Sequence, residues 1–448
     1  MTSSHLPKRS SAKSAPNSSL FRLAPRLIAL AASAGFTIAS YAEKPDFLSE
    51  LSITVKEAHD SSVFGTERNP ALAGLPELAN VSSWVTTVSP KVGFNLRPAF
   101  GLDKDSAISA FSFGYAGDYA FYHSATTETN QRHNFTQQLK GKSGGVSFAL
   151  DNSFIYVDGK SATIQYGLTS AYGTASSRER KEQFQDRAKA ILRFDNESPY
   201  FFRTVASVLY YDLKTQLRQP VGSYAGWQNY VDRQDLNIGA DIGYKATKDV
   251  SLWAGYRYGK QKQAALPWSL VQNNSDYNRF LVGVEGKLAP WLKIDLQAGP
   301  DYRSYTDGAH SGINGKNHTW LYTESSITAD VSKTDSLTFT NKIWHWVSST
   351  GVTAYRDSAY ALAYKHKFSS AFSASLGVRA LGSDYDLPAT RKDWLYTYSA
   401  GLRYDFNKQV ALTADYAHSN GENKLNAIAF PGREFSQDVL SLGLRYAY

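Results

Sequence analysis

Leu440-Ser441-Leu442-Gly443-Leu444-Arg445-Tyr446-Ala447-Tyr448 closes the chain in strict alternation. Leu440, Leu442, Leu444, Tyr446 and Tyr448 share one face of a strand; Ser441, Gly443, Arg445 and Ala447 share the other. A soluble sheet turns such an apolar face toward a core. This strand ends at the chain terminus with two tyrosines on the apolar side. That is the pattern of a membrane barrel strand, apolar toward lipid, aromatic at the interface and polar toward a wet interior.

The alternation recurs upstream. Leu292, Ile294, Leu296 and Ala298 alternate with Lys293, Asp295, Gln297 and Gly299. Leu236, Ile238, Ala240, Ile242 and Tyr244 alternate with Asn237, Gly239, Asp241, Gly243 and Lys245, and Phe372 to Arg379 repeats the scheme. Charges in these segments avoid the apolar face, where a Lys or Arg at mid-bilayer costs about 2–4 kcal/mol. Short breaks fall at Gly101–Asp105, Gly141–Ser143, Asn196–Pro199, Ala246–Asp249, Ala289–Trp291, Ser332–Asp335, Ser369–Ser370 and Asn407–Lys408. Between them lie longer polar connections: Asp158–Lys181, Gln216–Val231, Gln263–Asp276, Thr306–Asn317 and Asn420–Arg433. Short periplasmic turns alternating with long external loops are expected of an outer-membrane barrel. The breaks predict an all-β, antiparallel up-and-down barrel of 18 strands, the first at Glu50–Glu57 and the last at Glu434–Tyr448. Sixteen is the alternative if Glu50–Glu57 belongs to a plug or linker. Ser61–Ser83 reads as an external loop or as a segment folded into the lumen.

The N-terminus reads as a signal peptide over residues 1–42, followed by the barrel at 43–448. Lys8, Arg9, Lys13, Arg22 and Arg26 precede the apolar run Leu27–Ile38, and Ser40-Tyr41-Ala42 fits a small-x-small cleavage site. These five account for much of the excess of 48 basic over 40 acidic residues; from Glu43 on the balance is 43 against 40. The basic pI therefore does not mark nucleic-acid binding. With no cysteine, disulfides, thiolate metal sites and cysteine nucleophiles are excluded. No apolar run approaches the roughly 20 residues of a membrane helix. The 29 tyrosines suit a protein with long interfaces between apolar and wet surroundings.

The C-terminal half resembles the putative beta-barrel porin 2 family. The likeness sits in Asn278-Arg279-Phe280-Leu281-Val282-Gly283-Val284-Glu285-Gly286-Lys287-Leu288 with Trp291–Tyr305, and in Arg433-Glu434-Phe435-Ser436 through Leu442–Tyr446. It covers about the last 200 residues. The resemblance implies an outer-membrane barrel, in groups often linked to polysaccharide export or uptake. It brings no catalytic or ligand residues. The terminal strand, ending in Tyr446 and Tyr448, also resembles the signal read by the barrel assembly machinery, so outer-membrane lipid and that machinery are the expected partners.

In a barrel of this size the inward row is the functional surface. Its basic members are Arg187, Lys189, Arg193, Lys245, Arg257, Arg279, Lys287, Lys293, Arg303, Arg379, Arg403 and Arg445. Its acids are Asp235, Asp241, Glu285, Asp295, Asp301, Glu324, Asp330, Asp405 and Asp415. Two readings compete: arginine forks that select an anionic solute, or charges that pair across strands and keep the wall wet. Trp344 and Trp346 share the inward face with Thr340 and Lys342 and are candidates to stack on sugar rings; a place in the interfacial girdle is the commoner fate of such tryptophans. No catalytic or metal site is expected, and no cofactor. His418-Ser419 point to opposite faces, Asp384 and Asp386 read as solvated acids, and the pairs His310/His318 and His123/His133 lack established ligand spacing. The expected function is a channel for hydrophilic solutes, saccharides or anionic glycans among them. The alternative is a plugged or partner-gated barrel, or the outer-membrane piece of a polysaccharide export assembly.

Overall fold

A computed structural model of the chain describes residues 44–63, 81–103, 105–160, 181–195, 197–214, 231–264, 273–305, 317–347, 354–385, 392–424 and 434–448. These form β1 (Leu48–Asp60), β2 (Ser83–Asn95), β3 (Ile108–Tyr122), β4 (Asn130–Ser143), β5 (Val146–Lys160), β6 (Lys181–Asp195), β7 (Tyr200–Leu213), β8 (Arg233–Lys245) and β9 (Val250–Gln263). The second half adds β10 (Ser275–Ala289), β11 (Leu292–Tyr305), β12 (Asn317–Asp330), β13 (Asp335–Val347), β14 (Ala354–Lys367), β15 (Phe372–Tyr385), β16 (Lys392–Asp405), β17 (Val410–Asn423) and β18 (Phe435–Ala447). Each strand pairs antiparallel with its sequence neighbours, and β1 pairs with β18, so the 18-stranded sheet closes with no free edge strand. Closure satisfies the backbone inside the bilayer, which open sheets cannot do.

β1 is longer than the predicted Glu50–Glu57 and is paired on both sides, which settles the count at 18 rather than 16. The terminal stretch carries the closing ladder, from Ser52↔Ala447 to Asp60↔Val439. Two connections depart from expectation. The β4–β5 turn lies at Gly144-Gly145, not Gly141–Ser143, because Gly144 takes φ 55°, a conformation that suits a tight hairpin and disfavours side chains. The alternation of short and long connections is also not strict: residues 96–107 between β2 and β3 hold a 3-10 turn at Pro98–Phe100 and outrun the external connection at 123–129. The remaining short turns fall where predicted, between consecutive strand ends at 196–199, 246–249, 290–291, 331–334, 368–371 and 406–409. Most of Ser61–Ser83, the long external connections and the expected signal peptide lie outside the described residues.

The two faces separate as the pattern requires. Ile238, Ile242, Val282, Leu376 and Leu440 present more than half of their side chains outward. Toward the lumen, large side chains lie flat over glycines of adjacent strands. A Cβ on Gly243 would stand 1.9 Å from the Phe201 ring, and one on Gly259 would stand 2.1 Å from Tyr277. Trp253 covers Gly283 in the same way. The glycines thus let aromatics pave the wall instead of filling the pore.

One strand leaves the cylinder. The β12–β13 ladder runs only from Asp330↔Ser336 to Thr323↔Ile343, whereas β13 keeps its pairing with β14 out to Val347↔Ala354. Beyond Ile343 the outer part of β13 crosses the interior and touches β9. Gln261 of β9 donates to the His345 carbonyl at 2.8 Å, and Arg233 of β8 donates to the Val347 carbonyl at 2.8 Å. Trp346 reaches the Arg233 guanidinium and the Tyr211 ring. Ala354 at the start of β14 packs on Tyr305 of β11. The outer half of β8–β11 thereby gains a second layer, which explains why its inward side chains are buried rather than wet.

Candidate lumenal site

Inward charges on β6–β11 form two networks. Toward the periplasmic end, Lys245 meets Asp195 at 2.5 Å, and Asp195 accepts from Arg193 at 2.7 Å. Arg193 reaches Glu285 at 3.1 Å, and Glu285 accepts from Arg203 at 2.8 Å. Arg203 donates to Asp241 at 2.7 Å, and Asp241 also accepts from Arg257 at 2.5 and 3.0 Å. The Asp241 side chain is fully buried and lies over Gly255, where a Cβ would stand 1.9 Å from its Oδ1. Arg193 and Arg203 lie over the Phe201 ring, at 3.6 and 5.9 Å. Charge-assisted, shared hydrogen bonds of this kind hold side chains in one place.

Toward the external end, beneath the displaced β13, Asp301 accepts from Arg279 at 2.7 Å and from Arg303 at 3.1 Å. Arg303 also donates to Gln261, whose amide donates to Asp235 at 2.7 Å. Tyr277 donates to the same Asp235 at 2.9 Å. Arg279 is sandwiched by Tyr322 and Tyr277, 3.7 and 4.6 Å from their ring centroids. Arg193, Arg203, Arg257, Arg279 and Arg303 are therefore engaged with carboxylates, and Arg279 with rings as well.

Between these networks and the opposite wall lies a cavity of about 690 Å³. Ser112, Thr136, Gln138, Ser153, Ser207, Asn237 and Gln297 give it hydroxyls and amides, and Trp344 forms part of its apolar wall. Arg187, Lys189, Asp151, Glu324 and Lys342 also border it. Glu324 is held by Lys342 at 3.4 Å and Arg187 by the Tyr211 hydroxyl at 2.7 Å, while Lys189 makes no hydrogen bond or ion pair among the described residues.

The sequence candidates fall into three groups. Arg193, Asp241, Arg257, Arg279, Glu285, Asp301 and Arg303 belong to the two networks. Arg187, Lys189 and Glu324 line the cavity, together with the inner edges of Arg257 and Arg279. Lys293, Asp295 and Arg379 make no hydrogen bond or close ion pair among the described residues, and Arg403 pairs with Asp405 at 2.6 Å. Trp344 stacks on Trp346 with centroids 4.9 Å apart, but only Trp344 borders the cavity; Trp346 is 2% exposed, its ring taken up by Tyr211 and Arg233. Tyr446 and Tyr448 end the strand that closes the barrel, the Tyr448 N–H donating to the Leu51 carbonyl at 2.9 Å.

His418 meets Asp438 at 2.9 Å while Ser419 meets Thr397 at 3.1 Å, so the adjacent pair serves opposite faces. Asp384 is paired with Arg356; Asp386 and His310 lie outside the described residues. Among the described residues no group of three His, Cys, Asp or Glu side chains converges on a metal position.

Sequence reasoning missed Arg203, Gln261, Tyr277 and His345. Arg203 shares its face with Val205 and Leu209, so alternation did not single it out. His345 falls on the lipid-facing parity, and only the departure of β13 buries it.

A family model described as putative beta-barrel porin 2 matches residues 222–448. No curated protein matches the chain. Among solved structures the chain is similar to OpdK of Pseudomonas aeruginosa crystallised with vanillate, at 9% identity over 90% of this chain and 100% of that one, with a TM-score of 0.41. It is likewise similar to OccAB3 of Acinetobacter baumannii, at 11% identity over 89% of this chain and 99% of that one, with a TM-score of 0.42.

Proposed function

This chain belongs to the putative beta-barrel porin 2 family, and on that footing we propose that it is an outer-membrane channel for neutral, hydroxyl-rich solutes, saccharides above all. The observation that carries the reading is the cavity of about 690 Å³, rimmed by hydroxyls and amides with one indole in its wall. Its volume falls in the range of about 300–1,000 Å³ typical of small-molecule sites. Hydroxyls and amides exchange donors and acceptors with a sugar at little desolvation cost, and the Trp344 face suits the apolar side of a pyranose ring. Arg193, Arg203, Arg257, Arg279 and Arg303 already hold carboxylates, and the cations that border the cavity outside the networks, Arg187, Lys189 and Lys342, are offset by Asp151 and Glu324 beside them, so the cavity favours a neutral over an anionic solute. The outer half of β13 inside the lumen lends support to the second reading, a gated rather than permanently open barrel.

Single-channel recording in planar bilayers tests this. The expected result is a conductance that a neutral disaccharide blocks more strongly than an acidic disaccharide of equal size. Trp344→Ala is expected to weaken that block about tenfold, equivalent to about 1.4 kcal/mol. Absence of current, or a block indifferent to Trp344, overturns the open saccharide channel; brief openings from a closed baseline would favour the gated barrel.

A further inference from the structure

The β12–β13 junction is the one place among the described strands where two sequence neighbours separate for half their length. From Asn317 to Tyr322 the edge of β12 has no β13 residue opposite it, because β13 beyond Ile343 has moved inward. At about 3.3 Å per residue this seam runs about 20 Å along the strand. It starts near the middle of β12, where Leu321 is exposed on the lipid-facing parity, and opens toward the external end. Strand edges at membrane depth are tolerated only where protein buries them or where they line a polar opening. Among the described residues no β13 ladder covers this edge. One ring contact bridges the two strands there: Trp320 of β12 stacks on His345 of β13, with centroids 3.8 Å apart and planes 16° from parallel, and His318, two residues along β12, continues the stack 5.2 Å from Trp320. Neither His345 ring nitrogen has a hydrogen-bond partner among the described residues, so that ring is held by stacking and by its backbone alone.

The apex of the seam is also a wall of the cavity. Tyr322 and Glu324 from β12, with Lys342 and Trp344 from β13, border the cavity at the level where the ladder stops. On the outer side of the same level stand Leu321, 56% exposed, and Ile343. A polar compartment and the bilayer thus meet across one side-chain seal.

We propose that the β12–β13 seam is a lateral portal through which an amphiphile with a glycan head and an alkyl tail bridges the lumen and the outer leaflet. The head occupies the cavity beside Trp344, and the tail leaves between β12 and β13 past Leu321 and Ile343. The stack of Trp320 and His345 is the closed state of the portal; parting those two rings breaks no backbone ladder. This rests on the saccharide reading of the cavity and adds the lipid-linked class of substrate to it.

The probe is a disaccharide glycoside bearing an octyl chain with a terminal diazirine, used below its micellar concentration on the full protein in liposomes. The expected labels fall on β12 and β13 around Leu321 and Ile343, and excess free disaccharide suppresses them. Labels spread around the whole apolar belt, or unaffected by free disaccharide, overturn the portal. Failure of the saccharide reading shows separately, as free disaccharide that leaves the single-channel current of the parent protein unblocked. Trp320→Ala with His345→Ala is expected to raise current block by the octyl glycoside, relative to free disaccharide, about tenfold. His345→Phe, which keeps a ring in the stack, is expected to retain the parent ratio. Equal ratios in all three folded proteins, with foldedness read from heat-modifiable migration, overturn the seal.

Discussion

Replacing Asp301 by Asn is the sharpest test of the buried wall. Asp301 accepts from Arg279 at 2.7 and 3.2 Å and from Arg303 at 3.1 and 3.4 Å. Their side chains are 2%, 8% and 0% exposed, so water cannot easily replace the carboxylate. Removing one partner of a buried ion pair costs about 3–5 kcal/mol, mostly because the other charge stays behind. Here two guanidiniums stay behind, but the Asn carbonyl still accepts from one, which places the expected loss near 3 kcal/mol. That corresponds to about a hundredfold shift toward the unfolded state. Urea unfolding in proteoliposomes, followed by tryptophan fluorescence, reads it as a lower midpoint at unchanged slope. In an Arg303→Gln background the same substitution is expected to cost about 1–2 kcal/mol less, because one stranded charge is already gone. A loss below about 1 kcal/mol, the scale of an exposed pair, would refute the claim that β13 seals this network from lumenal water.

Further outcomes follow from other parts of the wall. Gly243→Val places a Cβ 1.9 Å from the Phe201 ring and is expected to cost about 1–3 kcal/mol by overpacking, read as a lower urea midpoint. Lys189→Glu combined with Arg379→Glu reverses two lumenal cations that have no ion-pair partner among the described residues; the reversal potential under a salt gradient is expected to move toward cation selectivity, and an unmoved potential would place both side chains off the conducting path. Deleting Tyr448 removes the terminal aromatic and its bond to Leu51; the expected result is poor insertion in cells with near-normal refolding into detergent, whereas equal loss in both would reduce Tyr448 to a structural role.

The extent to which the chain could be read in advance differs by level. Leu440–Tyr448, Leu236–Lys245 and Leu292–Gly299 announced their faces, because period-2 alternation is a local property and lipid enforces it residue by residue. The turn at Gly144-Gly145 was misplaced by a few residues, since any of several small residues between β4 and β5 permits a hairpin and the left-handed φ of Gly144 decides among them. The candidate site was legible as a set of inward charges and not as a site. Asp301 and Arg379 look alike in sequence context, yet one is buried between two guanidiniums and the other has no ion-pair partner among the described residues. Trp344 and Trp346 share a parity, but only one borders the cavity.

The sequence by itself determined a closed barrel of alternating strands, its apolar exterior and the residue types available to its interior. Each of these follows from the solvent on the two sides of one strand. Only the tertiary structure decided which charges are spent on one another, where the cavity lies, and that β13 abandons its neighbour beyond Ile343. Those outcomes depend on contacts between strands far apart in sequence, such as Gln261 with His345 and Arg233 with Val347, whose packing energy no local pattern records.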